Sequence, residues 1–274
     1  MTAPTPLRIS TITATAGVNS PVDLKKLFDE IPLGSAIVFA EYGRVKTERI
    51  TRGRHPRQPP VDDDADAVAD SGKEAPKARQ KQVKKRFDNQ TTLVVLAGDS
   101  KVNMKVFANG SLQMTGLKRI EDGVDAIAAL VDELKTTHIA EDPSAVKAVN
   151  YKVRMINSDF KIGYSVRRDH LYSLMLKRNM RCSYEPTIYP GVKVDYYFRG
   201  AEGKNGGICE CADRGMSMKC AHCHKITLVV FRSGSIIITG ASSAAHLAEA
   251  NLYLVKTLTE HRDELEHVEY QIGA

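Results

Sequence analysis

An α+β fold built from two related halves is predicted by three observations. Residues 106–134, VFANGSLQMTGLKRIEDGVDAIAALVDEL, repeat at residues 230–258, VFRSGSIIITGASSAAHLAEANLYLVKTL, at a constant offset of 124 without a gap, and ten of the twenty-nine positions are identical. Ungapped identity at positions that share physical roles marks an internal duplication. Each copy reads as a β-hairpin feeding an amphipathic helix. Finally, Ile236-Ile237-Ile238 shows no polar alternation, so both faces of this sheet want cover. Helices can cover one face, and something else must meet the other.

The elements follow in order. Residues 7–28, LRISTITATAGVNSPVDLKKLF, read as a Thr/Ile-rich strand and then a short helix with Pro21 near its start, and residues 151–175 follow the same plan. Asn109-Gly110 is a strong hairpin signal and Ser233-Gly234 an acceptable variant. Thr115-Gly116 and Thr239-Gly240 are expected to break the strand before the helix. Ile120, Val124, Ile127, Val131 and Leu134 step by four and three into one apolar stripe. Leu247, Ala250, Leu254 and Leu258 make the matching stripe in the second copy. Each half is thus strand, helix, several strands and long helix, with one sheet face uncovered.

The 274 residues suffice for a sizeable core, and the 42% apolar, 26% charged composition is that of a soluble globular protein. No run of eighteen apolar residues occurs, so no membrane partner is expected, and MTAPTPLRIS does not read as a secretory signal. A net charge of +6 permits nucleic-acid binding without demonstrating it. No P-loop, H-E-x-x-H, G-x-S-x-G or dinucleotide fingerprint is present, and GKNGG (203–207) lacks a strand-to-helix setting, so an enzyme is not expected.

Two insertions interrupt the halves. Residues 51–86, with four prolines, Asp62-Asp63-Asp64, the basic run KARQKQVKKR and no aromatic residue, read as a disordered charged loop. The second, residues 200–225, holds four of the five cysteines: Cys209, Cys211, Cys220 and Cys223, spaced C-x-C-x8-C-x2-C. Two close thiolate pairs can wrap one tetrahedral ion, and a structural Zn2+ is the expected guest, with His222 and His224 as reserve ligands. The other reading is four reduced surface thiols. Cys182 stands apart and reads as a buried small hydrophobe. Both insertions are expected at corresponding places in the two halves, and the cysteine loop is expected to meet a partner protein or flanking DNA.

CSYEPTIYPG (182–191), followed by ITLVVFRSGSIIITGA (226–241), resembles the second repeat of the TATA-box-binding protein family. There a Ser-Tyr-Glu-Pro…Phe-Pro-Gly segment leads to a strand, then to an Ile-Phe-x-Ser-Gly-Lys hairpin ending in Thr-Gly-Ala. The resemblance covers residues 7–30, 87–137 and 150–260, at low identity in the first half. It implies a pseudo-twofold saddle, a curved antiparallel sheet with helices on the convex face, whose repeats span residues 7–142 and 149–266. It also implies a transcription initiation factor whose underside lies in the minor groove of A/T-rich promoter DNA and bends it with aromatic wedges.

Carried over residue by residue, the resemblance makes Phe107 and Phe231 the hairpin wedges of the two halves. Tyr189 stands where the family's other second-half wedge is usually Phe, and Phe87 is the candidate for its first-half counterpart. For each ring the other reading is a plain core aromatic. Thr115 and Thr239 match groove-facing threonines; the family's central asparagines align near Thr11 and at Met155, with Asn157 two residues on and so on the same strand face. Glu185 matches a contact with a transcription factor IIB-like factor, which implies recruitment of RNA polymerase machinery, although the neighbouring family acid is Thr187 here. Ser111 and Ser235 replace lysines and Asp195 an arginine, losses that weaken phosphate contacts and put strict TATA preference in doubt. Such divergence is similar to that of remote members encoded by large DNA viruses. It implies a nuclear location, or a cytoplasmic virus factory or virion. The alternative is a saddle-fold protein-interaction scaffold of a transcription complex.

Overall fold

The computed structural model of the chain describes residues 3–45, 48–56, 89–137, 139–140, 142–200, 206–211, 220 and 222–267. The first repeat runs β1 (Arg8–Val18), α1 (Leu24–Glu30), β2 (Ile37–Val45), β3 (Glu48–Gly53), β4 (Gln90–Ala97), β5 (Ser100–Phe107), β6 (Ser111–Leu117) and α2 (Ile120–Thr136). The second runs β7 (Ala148–Lys161), α3 (Arg168–Lys177), β8 (Arg181–Glu185), β9 (Tyr189–Phe198), β10 (His224–Val230), β11 (Ser235–Ala241), α4 (Ala244–Glu260) and α5 (Arg262–Leu265). No helix among the described residues is long and apolar enough to cross a membrane.

The chain divides into two compact units that cut across the repeats. One holds Ala16–Gln113 and Asp125–Val149; the other holds Met1–Thr15, Met114–Val124 and Asn150–Ala274. Within the first unit the strands lie in the order β3-β2-β4-β5-β6-β1, and within the second β6-β1-β7-β11-β10-β9-β8, so β1 and β6 are shared out between them. Pairing is antiparallel among β2–β5 and β8–β11, including β2 against β4, which are not consecutive in the chain.

Period-2 alternation builds the core of each unit. Val102, Met104 and Val106 on β5, and Ile226, Leu228 and Val230 on β10, are fully buried at the offset of 124 that the sequence repeats. The helices answer with Ala126, Leu130 and Leu134 on α2 and Ala250, Leu254 and Leu258 on α4, all 0% exposed. The isoleucine run resolves in the same way: Ile236 and Ile238 are buried, while Ile237 is half-exposed on the opposite face. Hairpin glycines Gly110 and Gly234 have φ of 79° and 76°, and a Cβ on either would strike backbone carbonyls at 2.6 and 2.1 Å. Equivalent strand-end bonds reach them, Val18 N–H to Gly110 O at 2.9 Å and Ile162 N–H to Gly234 O at 3.0 Å.

Several sequence expectations need correction. The Thr-Gly pairs do not end their strands: β11 continues to Ala241 through a register shift spanning Gly240, whose φ is 88°, and β6 continues to Leu117 past Gly116, whose φ is 91°. The α2 stripe holds at Ile127, Val131 and Leu134, which are buried, but not in the first turns, where Ile120 and Val124 are 45% and 52% exposed; Ala126 and Leu130 join the core-facing positions instead. The first insertion begins later than residue 51, since Thr51, Arg52 and Gly53 pair with Glu41, Ala40 and Phe39, and Arg52 donates to the Phe28 carbonyl. Residues 57–86 of it lie outside the described residues. Likewise His224 and Lys225 belong to β10, not to the cysteine loop.

Nor do the two insertions correspond. The charged one joins β3 to β4, whereas the cysteine one joins β9 to β10, whose first-repeat counterpart is the tight β4–β5 turn at Gly98-Asp99. In addition, β3 is an extra outer strand in the first repeat. Composition located the insertions in sequence, and only strand order shows which connection each one lengthens.

Candidate nucleic-acid interface and thiolate cluster

The less buried face of the second unit is set by the same alternation. From β10 it takes Lys225, Thr227 and Val229, from β11 Ile237 and Thr239, from β7 Met155, Asn157 and Asp159, and from β9 Lys193 and Asp195. Several of these, with Ser10 and Thr11 of β1 and Arg181 of β8, line a concavity of about 770 Å³. Its floor is apolar at Val229 and Ile237 and dotted with hydroxyl and amide groups. Thr239 donates to Asn157 Oδ1 at 2.5 Å and also lies 3.7 Å from the Met155 sulfur.

At one end sits an aromatic pair. Phe231 follows β10 directly and Tyr189 opens β9; their ring centroids are 5.9 Å apart with planes at 57°. Both are half-exposed. Beneath them Gly191 has no space for a side chain: a Cβ there would lie 2.5 Å from Val229, 3.0 Å from the Tyr189 ring and 3.1 Å from the Phe231 ring. Lys193 Nζ stands 4.2 Å from the Tyr189 centroid, a cation–π contact. Gly191 and Lys193 were not among the predicted site residues, although both continue the period-2 face that Tyr189 opens.

Asp195, the position of the lost arginine, sits among cations. Lys225 Nζ approaches it at 3.3 Å and Arg181 Nε at 3.5 Å, and its side chain is only 15% exposed. Asp159 on the same face forms a bidentate pair with Arg8 at 3.0 and 3.1 Å. The face therefore carries carboxylates as well as cations.

The remaining predicted residues are placed as follows. Phe107 is half-exposed at the end of β5, with Gln90 opposite it in register where Phe231 has Gly191. Thr115 on β6 and Thr11 on β1 are half-exposed. Glu185 is exposed at the end of β8, where Ile188 N–H closes the turn onto its carbonyl at 2.9 Å. Phe87 lies outside the described residues. Cys182 is half-buried rather than buried, with Sγ 3.9 Å from the Tyr172 carbonyl, and burial pushes its thiol pKa up.

Cys209, Cys211, Cys220 and Cys223 come together, with every Sγ within 4.8 Å of the others. Backbone N–H groups of His222 and Cys223 both donate to Cys220 Sγ at 3.3 Å. Chiefly the His222 N–H bond brings that thiol down to about 7, whereas burial drives Cys223 upward. His224 is not a reserve ligand: its Nε2 lies 2.6 Å from the Gly240 carbonyl and its ring stacks on His246 at 4.2 Å.

Two copies of one strand–helix–hairpin–helix plan, with helices on one sheet face and a threonine-dotted apolar surface on the other, define a duplicated α+β protein with an uncovered sheet face. The chain is a divergent member of the TATA-binding-protein family. The model of that family, described as "Transcription factor TFIID (or TATA-binding protein, TBP)", matches residues 150–261. A TATA-box-binding protein-like relative from Acanthamoeba polyphaga mimivirus is 31% identical over 211 residues, covering 68% of this chain and 51% of the relative. The TATA-box-binding protein of Acanthamoeba castellanii is 25% identical over 65% of this chain and 55% of its own length; that of Pyrococcus furiosus is 27% identical over 60% and 68%. The chain thus spans about half the length of the viral and amoebal relatives. Among solved structures, Methanococcus jannaschii TBP superposes with a TM-score of 0.50 at 19% identity over 93% of this chain and 99% of that one, a likeness of fold.

Proposed function

We propose that the chain is a TATA-binding-protein-like transcription initiation factor that binds the minor groove of A/T-rich promoter DNA through the less buried sheet face, bends it and recruits initiation machinery. The carrying observation is the Tyr189–Phe231 ring pair, held half-exposed over Gly191 beside an apolar floor dotted with Thr227, Thr239 and Asn157. Minor-groove edges of A·T pairs offer only acceptors, which suits apolar contact with a few hydroxyl donors. A wedge that unstacks a base step costs a few kcal/mol, repaid by the surface that the bent duplex covers. Phe107 is the first-repeat wedge, Thr115 and Thr11 lie toward the groove, and Glu185 offers the contact for a transcription factor IIB-like partner. The setting is a nucleus or a viral factory.

A second reading is favoured by Asp195 and Asp159, whose carboxylates would oppose phosphates: a scaffold for other transcription proteins with weak DNA binding. Fluorescence-detected bending of an A/T-rich duplex separates the two. The initiation-factor reading expects bending by the parent chain, its loss in Phe231→Ala and Phe107→Ala, and retained folding of both variants. A well-folded parent that bends no duplex and binds none at low salt leaves the scaffold.

A further inference from the structure

Four thiols have little reason to meet unless something holds them. A thiol is a weak donor and a weak acceptor, and an isolated buried cysteine packs as a small hydrophobe. Here Cys209 is 2% and Cys223 9% exposed, with Cys211 and Cys220 packed against them and Tyr197 alongside. All are free of disulfides, although they crowd one another. A tetrahedral zinc site with Zn–S bonds of ~2.3 Å sets its sulfurs ~3.8 Å apart. Cys211 and Cys223 are already 3.7 Å apart, and the whole set lies within 4.8 Å.

Two further features fit an ion rather than a chance cluster. The N–H groups of His222 and Cys223 aimed at Cys220 Sγ are charge-assisting donors to a thiolate. The start of the loop is also fastened to β9, since Tyr197 N–H donates to Gly207 O at 2.9 Å. Gly207, at φ 84°, is so close beneath Tyr196 that a Cβ would lie 2.3 Å from the ring. The first cysteine pair is therefore positioned by β9, and the second by the entry to β10.

We infer that Cys209, Cys211, Cys220 and Cys223 bind one zinc ion through four thiolates, as a structural centre that ties together the two ends of the β9–β10 connection. Four protein ligands leave no open coordination position, so the ion has no catalytic role. His224 takes no part because its ring is committed to Gly240 and His246. A four-sulfur tetrahedron also suits iron, which makes metal identity part of the test.

The experiment uses the full chain purified under reducing conditions. Elemental analysis is expected to find one zinc per chain, and a thiol reagent to react with Cys182 alone until the metal is extracted. Cobalt taken up in place of zinc is expected to give the strong visible bands of a tetrahedral thiolate site. Cys182→Ser should keep the zinc and leave no reactive thiol, whereas Cys220→Ser with Cys223→Ser should lose it. Because the double variant can unfold, the cobalt spectrum and thiol protection of the unmutated chain decide independently. Five freely reactive thiols without zinc, stoichiometric iron, or zinc that survives the double substitution would each overturn the inference.

Discussion

Gly191 shows how one residue can govern the candidate interface. Alanine there needs Val229, Tyr189 and Phe231 all to move, since each lies within 3.1 Å of the new Cβ. Overpacking of this kind costs about 1–3 kcal/mol. Gly191→Ala is thus expected to lower the denaturant midpoint and, by prying the ring pair apart, to reduce duplex bending more than its stability loss explains. Asp195 bears on affinity rather than shape. Asp195→Asn frees Lys225 and Arg181 from their carboxylate. Titrations at several salt concentrations should show tighter duplex binding and a log K–log salt slope steeper by about one to two units, at roughly 0.9 for each further phosphate neutralised. An unchanged slope would mean that neither cation reaches DNA. Tyr189 and Phe231 were legible because their motifs are contiguous strings. Gly191's role was not, since it depends on the cross-strand register that sets it opposite Phe231, which no local pattern reports.

At the scale of elements, the repeat offset did most of the predicting. Buried positions on β5 and β10, and on α2 and α4, coincide at 124 residues because equivalent roles preserved apolar side chains, identical on the helices and at Val106 and Val230, and merely similar at Val102 and Ile226 and at Met104 and Leu228. Leu254→Ala is expected to cost about 2–5 kcal/mol, since its side chain is fully buried against the sheet, and chemical denaturation measures it. By contrast, Ile120→Gln and Val124→Gln should each change stability by no more than about 0.5 kcal/mol, because both project from α2 into solvent. A loss comparable to Leu254→Ala would restore the stripe that periodicity suggested. Periodicity failed there because steps of three and four fit two adjacent helix faces equally well near a helix start, and only packing chooses between them. The insertions failed for a related reason: a lengthened connection is visible in sequence, but β3 adds a strand that shifts which connection it is.

Across the whole molecule the two repeats share a backbone plan and differ on the face proposed for DNA. Where β10 and β11 present Thr227, Val229 and Ile237, β5 and β6 present Asn103, Lys105 and Gln113 at the same repeat offset. A guanine amine in the minor groove is a donor that A·T pairs lack. Against Val229 and Ile237 that donor would be desolvated without a partner, at a cost of about 1–3 kcal/mol, whereas an amide oxygen on Asn103 or Gln113 can accept it. If the chain reads DNA, its preferred site is therefore asymmetric: strictly A·T in the half under the second repeat and tolerant of G·C in the half under the first. Selection from a random duplex pool tests this. Val229→Asn should relax the strict half, and Asn103→Val should tighten the tolerant one. A palindromic selected site, or one unmoved by either substitution, would show that these side chains do not set specificity, even if the chain bends DNA.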